Sequence, residues 1–215
     1  MTKQSRSEHT RSHLVRSAAV LFERNGFFGT TLAEVSRAAG VTKGAFYFHF
    51  SSKDELGGAI QAEACAMLRG ALQAATTSRL PALQSVVDLS HELAGWLAEE
   101  PHVRASFRTA RECGHLGKPF LDFYIDWQAA VESLLHNARQ RGELARGIDV
   151  EHALTVVLAV SAGLEMLWAA QLRRGSMAES LTGVWAVVLP GLATPGLGRR
   201  LRPAGSRHGR TPPDG

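Results

Sequence analysis

The sequence predicts an all-α fold with an N-terminal three-helix head and a larger helical body. Three observations carry that expectation. Apolar residues recur at helical spacing along most of the chain, and no alternating, strand-length run is bracketed by hairpin turns. Capping boxes of the form Ser/Thr-x-x-Glu open at Ser5, Thr31 and Ser52, all in the first quarter of the chain. Proline and glycine then punctuate the remainder at intervals that suit one helix each.

In the first helix, Leu14, Ala18, Leu21 and Phe22 form the i, i+4, i+7, i+8 stripe of a core-facing face. The Ser5–Glu8 box is expected ahead of it and Asn25-Gly26 behind it. Thr31 opens a short second helix with Leu32, Val35 and Ala39 inward, closed by Gly40. Thr42 caps a third. There Val41, Ala45 and Phe48 are expected inward, and Thr42, Lys43, Gly44 and Phe46 outward. Ser52 opens a longer helix through about Ala75. Further helices are expected near 80–99, 103–113, 119–141, 150–172 and 177–189, with Pro190-Gly191 ending the last. From Thr194 the chain is rich in Pro, Gly and Arg and is expected to be a disordered basic tail. The expected domains are 1–52, 53–193 and 194–215.

Length and ordinary apolar content allow a sizeable core. The formal charge of +4 is uneven: residues 1–55 carry net +3, residues 56–195 net −3, and the tail from Gly196 net +4. A basic head suits an anionic partner, although ordinary solubility would give the same balance. Cys65 and Cys113 lie far apart with no metal-ligand spacing, as reduced thiols of a cytoplasmic protein would. The N-terminus lacks the apolar core of a signal peptide, and the longest apolar run, Leu154 to Leu164, is too short to span a bilayer. A soluble cytoplasmic protein with no membrane partner is expected. His9 and His13 stand at i, i+4 without a third ligand. Neither His91-Glu92 nor Cys113-Gly-His115 makes a nucleophile–base–orienter set. No GxSxG, P-loop or GxGxxG occurs. No catalytic residue, metal site or cofactor is assigned, and an enzyme is not expected.

Two short helices joined at Gly40 have the dimensions of a helix-turn-helix, whose second helix enters the DNA major groove N-terminus first. On that reading Lys43 reaches guanine acceptors or phosphate, and Gly44 lets the backbone approach closely. Tyr47 packs its ring while bonding a phosphate, Phe50 pins the turn, and Lys53 adds a phosphate contact. A plain helix hairpin with an aromatic plug fits the same spacing.

The stretch AAVLFERNGFFGTTLAEVSRAAGVTKGAFYFHFSSKDEL resembles the N-terminal domain of the TetR family of transcriptional regulators. The resemblance covers about a fifth of the chain. It implies an all-helical homodimer with a DNA-binding head and a ligand-binding, dimerising body, which usually represses. It carries over Lys43 and Tyr47 as contacts to double-stranded operator DNA, with Thr42, Gly44, His49 and Lys53. In that family the last two long helices pair with their symmetry mates. Here ALTVVLAVSAGLEMLWAA and SLTGVWAVVLPGL are apolar over much of their circumference, which demands burial.

Aromatics cluster mid-chain: Trp96, Phe107, Phe120, Phe123, Tyr124, Trp127 and Trp168. They suit either an ordinary core or an apolar pocket with few polar groups. The segment PFLDFYIDWQAAVESLL is similar to one in the γ-butyrolactone autoregulator receptors, a TetR branch of antibiotic-producing actinobacteria. In that branch a Trp after an acidic or polar residue packs over the lactone head, and apolar side chains take the alkyl tail. The resemblance assigns Trp127 to a small hydrophobic signalling ligand. Gln128 is a nearby polar candidate, and Phe107, Phe123 and Trp168 are the apolar candidates. The short linker GHLGKPF and the Arg-rich tail depart from that pattern, so a butyrolactone, a butenolide or furan relative, and an antibiotic all remain open. The expected function is a repressor of antibiotic or secondary-metabolite genes. The alternative is a drug-sensing regulator of efflux genes.

Overall fold

The computed structural model describes residues 3–206 apart from positions 118 and 173. The described residues form helices α1 (Lys3–Asn25), α2 (Leu32–Ala38), α3 (Lys43–His49), α4 (Lys53–Thr77), α5 (Ala82–Glu99), α6 (Pro101–Cys113), α7 (Asp122–Gln140), α8 (Val150–Ala169), α9 (Met177–Leu192) and α10 (Pro195–Gly198). A 3₁₀ turn, Gly114–Leu116, follows α6. Among these residues there is no strand, only an isolated bridge between Leu144 and Ala193.

Several helix starts are the expected ones. Thr31 Oγ1 accepts the Glu34 amide while Glu34 accepts the Thr31 amide, a complete capping box. Thr42 Oγ1 accepts the Ala45 amide. Ser52 Oγ accepts the Glu55 amide, but the Glu55 carboxylate reaches back to Ser51 instead of Ser52. The Ser5 box is not a helix start: α1 already runs from Lys3, so Ser5 lies within it. Pro190 does not end α9 either. It sits in the last turn, where its missing N–H leaves the Ala186 carbonyl without its i→i−4 donor, yet the helix continues to Leu192.

The chain divides into two compact units. The first holds the described chain up to Leu68 together with Glu100–Asp126. Its core is built from Leu14, Val15, Ala18 and Phe22 of α1, Val35 of α2, Phe46 of α3, Phe50, Leu56 and Ile60 around α4, and Ala105, Cys113 and Phe120 from the later segment. Lys53–Leu68 and Glu100–Asp126 thus fall in one unit with α1 to α3. The reason is α6, whose charged stripe is bound to the end of α1. Arg104 pairs with the Glu23 carboxylate at 2.7 Å, and Arg108 donates to the Glu23 and Arg24 carbonyls. Glu112 accepts the Phe27 amide at 2.7 Å. That carboxylate sits where a Cβ on Gly26 would be, 2.4 Å from one oxygen, and Gly26 also has φ +81°. Only glycine satisfies both conditions.

The second unit holds Arg69–Glu99 and the described chain from Trp127 onward. Its central helix is α5, buried over most of its circumference. Glu143 carries the start of α5: its carboxylate accepts the Ala82 and Leu83 amides at 3.0 and 2.9 Å, satisfying two orphan donors. The end of α9 is stitched to the same loop by Ala145 N–H to Leu192 O and Thr194 N–H to Glu143 O.

The expected disordered tail is corrected over residues 194–206. Leu201 is buried, and Gln84 of α5 accepts the Arg202 amide and donates to its carbonyl. Asp88 accepts both the Ser206 amide and its hydroxyl. His91 Nε2 lies 2.8 Å from the Pro203 carbonyl, which fixes a proton on that nitrogen because a carbonyl only accepts. A Pro/Gly/Arg composition predicts disorder only where nothing reads the backbone, and here side chains of α5 read it. Arg207 and Arg210, and the rest of the expected tail, lie outside the described residues.

Candidate functional site

The turn between α2 and α3 explains its glycine. Gly40 has φ +67° with open space around the missing Cβ, so backbone conformation alone requires it. The Val41 amide returns to the Ser36 carbonyl at 2.9 Å and closes the end of α2. Thr42 then starts α3.

The faces of α3 differ from the expected ones. Thr42, Lys43, Gly44, Tyr47 and Phe48 are exposed, with Phe48 at 78%. Phe46 is fully buried and cannot face a groove. The expected roles of Phe46 and Phe48 are therefore exchanged. The cause lies at the helix end: Phe50 leaves α3 in extended conformation and turns its ring into the core, 5.9 Å from that of Phe46. The inward face is thus centred on Phe46 and Phe50, while Val41 and Ala45 are half-buried beside it.

The exposed face is a usable reading surface. Lys43 Nζ stands 5.9 Å from the centre of the Tyr47 ring, placing cation and phenol side by side. A Cβ on Gly44 would meet nothing closer than Thr42 Oγ1 at 3.9 Å, so internal packing does not require that glycine. Close approach from outside would. His49 is half-buried, its ring edge-to-face with Phe48 at 5.0 Å. Phe48 is the exposed ring that periodicity placed inward.

Lys53 is not a free cation for phosphate. Its Nζ donates to the Phe27 carbonyl at 2.7 Å and the Thr30 carbonyl at 2.9 Å, and lies 4.5 Å from the centre of the Phe27 ring. It holds the α1–α2 loop against the start of α4.

The residues expected to sense a ligand are distributed over both units. Phe107 and Phe123 are buried in the first unit, where Phe107 packs on Phe123 at 5.7 Å and on Tyr124 at 4.7 Å. Trp127, Gln128 and Trp168 belong to the second. Trp127 is 1% exposed, and its indole Nε1–H has no acceptor among the described residues. The buried indole of Trp185 on α9 shares that property, a feature no spacing pattern announces. Trp168 is half-buried. Gln128 is exposed, about 100° around the helix from the buried Trp127.

α8 is a continuous helix, longer than the apolar run that the sequence outlines. By length and composition alone it could cross a membrane, and 22% of its apolar window is buried. Val156, Met166 and Val187 are exposed on α8 and α9. Among the described residues no group of His, Cys, Asp and Glu could hold a metal ion.

Residues 14–60 match the family described as bacterial regulatory proteins, tetR family. The chain is 30% identical over 205 residues to the A-factor receptor protein of Streptomyces griseus, covering 95% of this chain and 71% of that protein. A crystal structure of a γ-butyrolactone receptor, an ArpA-like protein, superposes with TM-score 0.78 at 25% identity, covering 92% of this chain and 96% of that one. The TetR family protein CprB from Streptomyces coelicolor, solved in complex with its biological operator sequence, superposes with TM-score 0.74 at 28% identity, covering 91% and 94%.

Proposed function

The chain belongs to the TetR family of bacterial transcriptional repressors, is similar to γ-butyrolactone receptors, and on that premise we propose that a small neutral signal of the butyrolactone, butenolide or furan type releases it from operator DNA. The genes it controls on this reading belong to antibiotic or secondary metabolism.

Trp127 carries the reading. A buried indole N–H without a partner is costly, and an oxygen acceptor on a bound molecule removes that cost. A lactone offers such acceptors at one end and an alkyl chain at the other. The charged centre of a cationic drug offers the donor nothing.

On the DNA side, the Lys43, Gly44, Tyr47 and Phe48 face of α3 supports operator contact, with Thr42 and His49 flanking it. The exposed apolar surface of α8 and α9 supports a homodimer, whose two heads would read a two-fold site. Linkage then sets the switch. A ligand favouring the conformation that does not fit DNA, with a coupling of about 3 kcal/mol, lowers operator affinity roughly a hundredfold.

The test is footprinting beside the chain's own gene, followed by release of that DNA with a panel of acyl-γ-butyrolactones and a panel of cationic drugs. Release by the lactones alone, and its loss in Trp127→Phe with operator affinity intact, is the expected result. Release by the cationic drugs alone would replace this reading with efflux control.

A further inference from the structure

The beginning of α7 is tied to α4 by one buried side chain. Gln61 is 1% exposed, yet every polar atom of its amide is used. Its Nε2 donates to the Phe120 carbonyl at 3.0 Å and to the Ser106 carbonyl at 3.3 Å. Its Oε1 accepts the Phe123 amide at 3.1 Å. The partners fix the orientation of the amide, because the Phe123 N–H only donates and the two carbonyls only accept. One side chain of α4 thus holds the middle of α6, the loop before α7 and the first turn of α7.

Two glycines one turn earlier complete the seat. A Cβ on Gly57 would stand 3.2 Å from Phe120 Cε1, and one on Gly58 3.4 Å from Pro119. The Phe120 ring also meets Phe27, edge-to-face at 5.1 Å. The Phe27 carbonyl is in turn held by Lys53, the first residue of α4. The segment Pro119–Phe123 is therefore keyed between the α1–α2 loop and α4, in the core that also receives Phe46 and Phe50.

We propose that Gln61 is the positioning residue that couples the first turn of α7 to the DNA-reading head. This rests on the reading of the chain as a DNA-released sensor with Trp127 at its ligand. Trp127 follows Phe123 by four residues on the same helix, so a shift at one is felt at the other. An apolar contact slides by fractions of an ångström at little cost. A buried amide with three partners does not, since each bond left unmade strands a desolvated group. Gln61 therefore makes α4 follow the start of α7, and by reciprocity makes the start of α7 respond to DNA.

The experiment uses the full chain and a duplex that the wild-type protein selects from a random library. Amide exchange is followed by mass spectrometry at Phe123–Asp126 with and without the duplex. In wild type the duplex is expected to slow exchange there about fivefold or more, the lower end of ordinary coupling. In Gln61→Met, of similar shape but without the amide, the duplex should still bind while the slowing falls below about twofold. Gln61→Asn, too short to reach all three partners, is a milder second variant with the same expectation. Wild-type slowing in either variant overturns the proposal, even if its melting temperature falls, because that is the signature of a merely structural amide. If no duplex is enriched by the wild-type protein, the regulator reading fails first and the proposal falls with it.

Discussion

Two lysines in the head look alike in sequence and do different work. Lys43 projects from the open end of α3, whereas Lys53 is spent on two carbonyls of the α1–α2 loop. Lys43→Ala should cost about 1–3 kcal/mol of operator affinity and blur preference at one base position. Lys53→Met should also weaken binding, by loosening the loop. A phosphate contact contributes about 0.9 to the slope of log affinity against log salt, so Lys53→Met should leave that slope unchanged. A salt titration of both variants separates the roles. A slope that drops in Lys53→Met would return it to the phosphate contacts. Phe46 and Phe48 make the same point with aromatic rings: one is core and the other surface, and only the exit of the chain at Phe50 decides which.

Helix starts are the elements most sensitive to acid. Hydrogen bonds from Thr31, Ser51 and Ser176, backbone first and side chain second, hold the Glu34, Glu55 and Glu179 carboxyls below their ordinary value. A carboxylate whose folded value is depressed stabilises fully above its unfolded value and loses that contribution as pH falls through the folded one. Stability should therefore decline on acidification below about pH 4.5, the ordinary value. The urea midpoint of a triple Glu→Gln variant at these positions should fall less steeply over that range than wild type. The C-terminal strap makes a second prediction at this scale. Ending the chain after residue 206 keeps every described contact of the strap and serves as the reference. Ending it after residue 193 strands Gln84 and Asp88 on α5, at about 1–3 kcal/mol for each group left unsatisfied. Calorimetry of the two truncations measures the difference. Equal melting temperatures would show that the strap contributes nothing to the fold.

For the whole molecule the open question is what covers α8 and α9. A second copy fits small exposed residues such as Ala159, Ala162 and Gly183, which permit close approach of helices, beside exposed Val156, Met166 and Val187. Val187, 80% exposed, is the sharpest probe. Val187→Glu should yield a folded monomer by light scattering, with operator affinity reduced at least about a hundredfold, because two half-sites then bind without shared effective concentration. A dimer of unchanged stability in this variant would move the interface elsewhere. On the proposed function, the linkage between ligand and DNA would belong to the same scale, as a change in the spacing of two heads.

The sequence by itself determined the helical class, the position of nearly every helix, and the short helix α3 with its Thr42 cap. These depend on neighbours within one or two turns: a hydroxyl three residues from an amide, a glycine where φ must be positive, a stripe of apolar side chains. Tertiary structure decided the rest. Phe46 rather than Phe48 faces inward, Lys53 is held by a loop 26 residues earlier, and residues 194–206 dock on α5. Each of these outcomes depends on partners remote along the chain, and local periodicity carries no information about which distant carbonyl or amide will arrive beside a side chain.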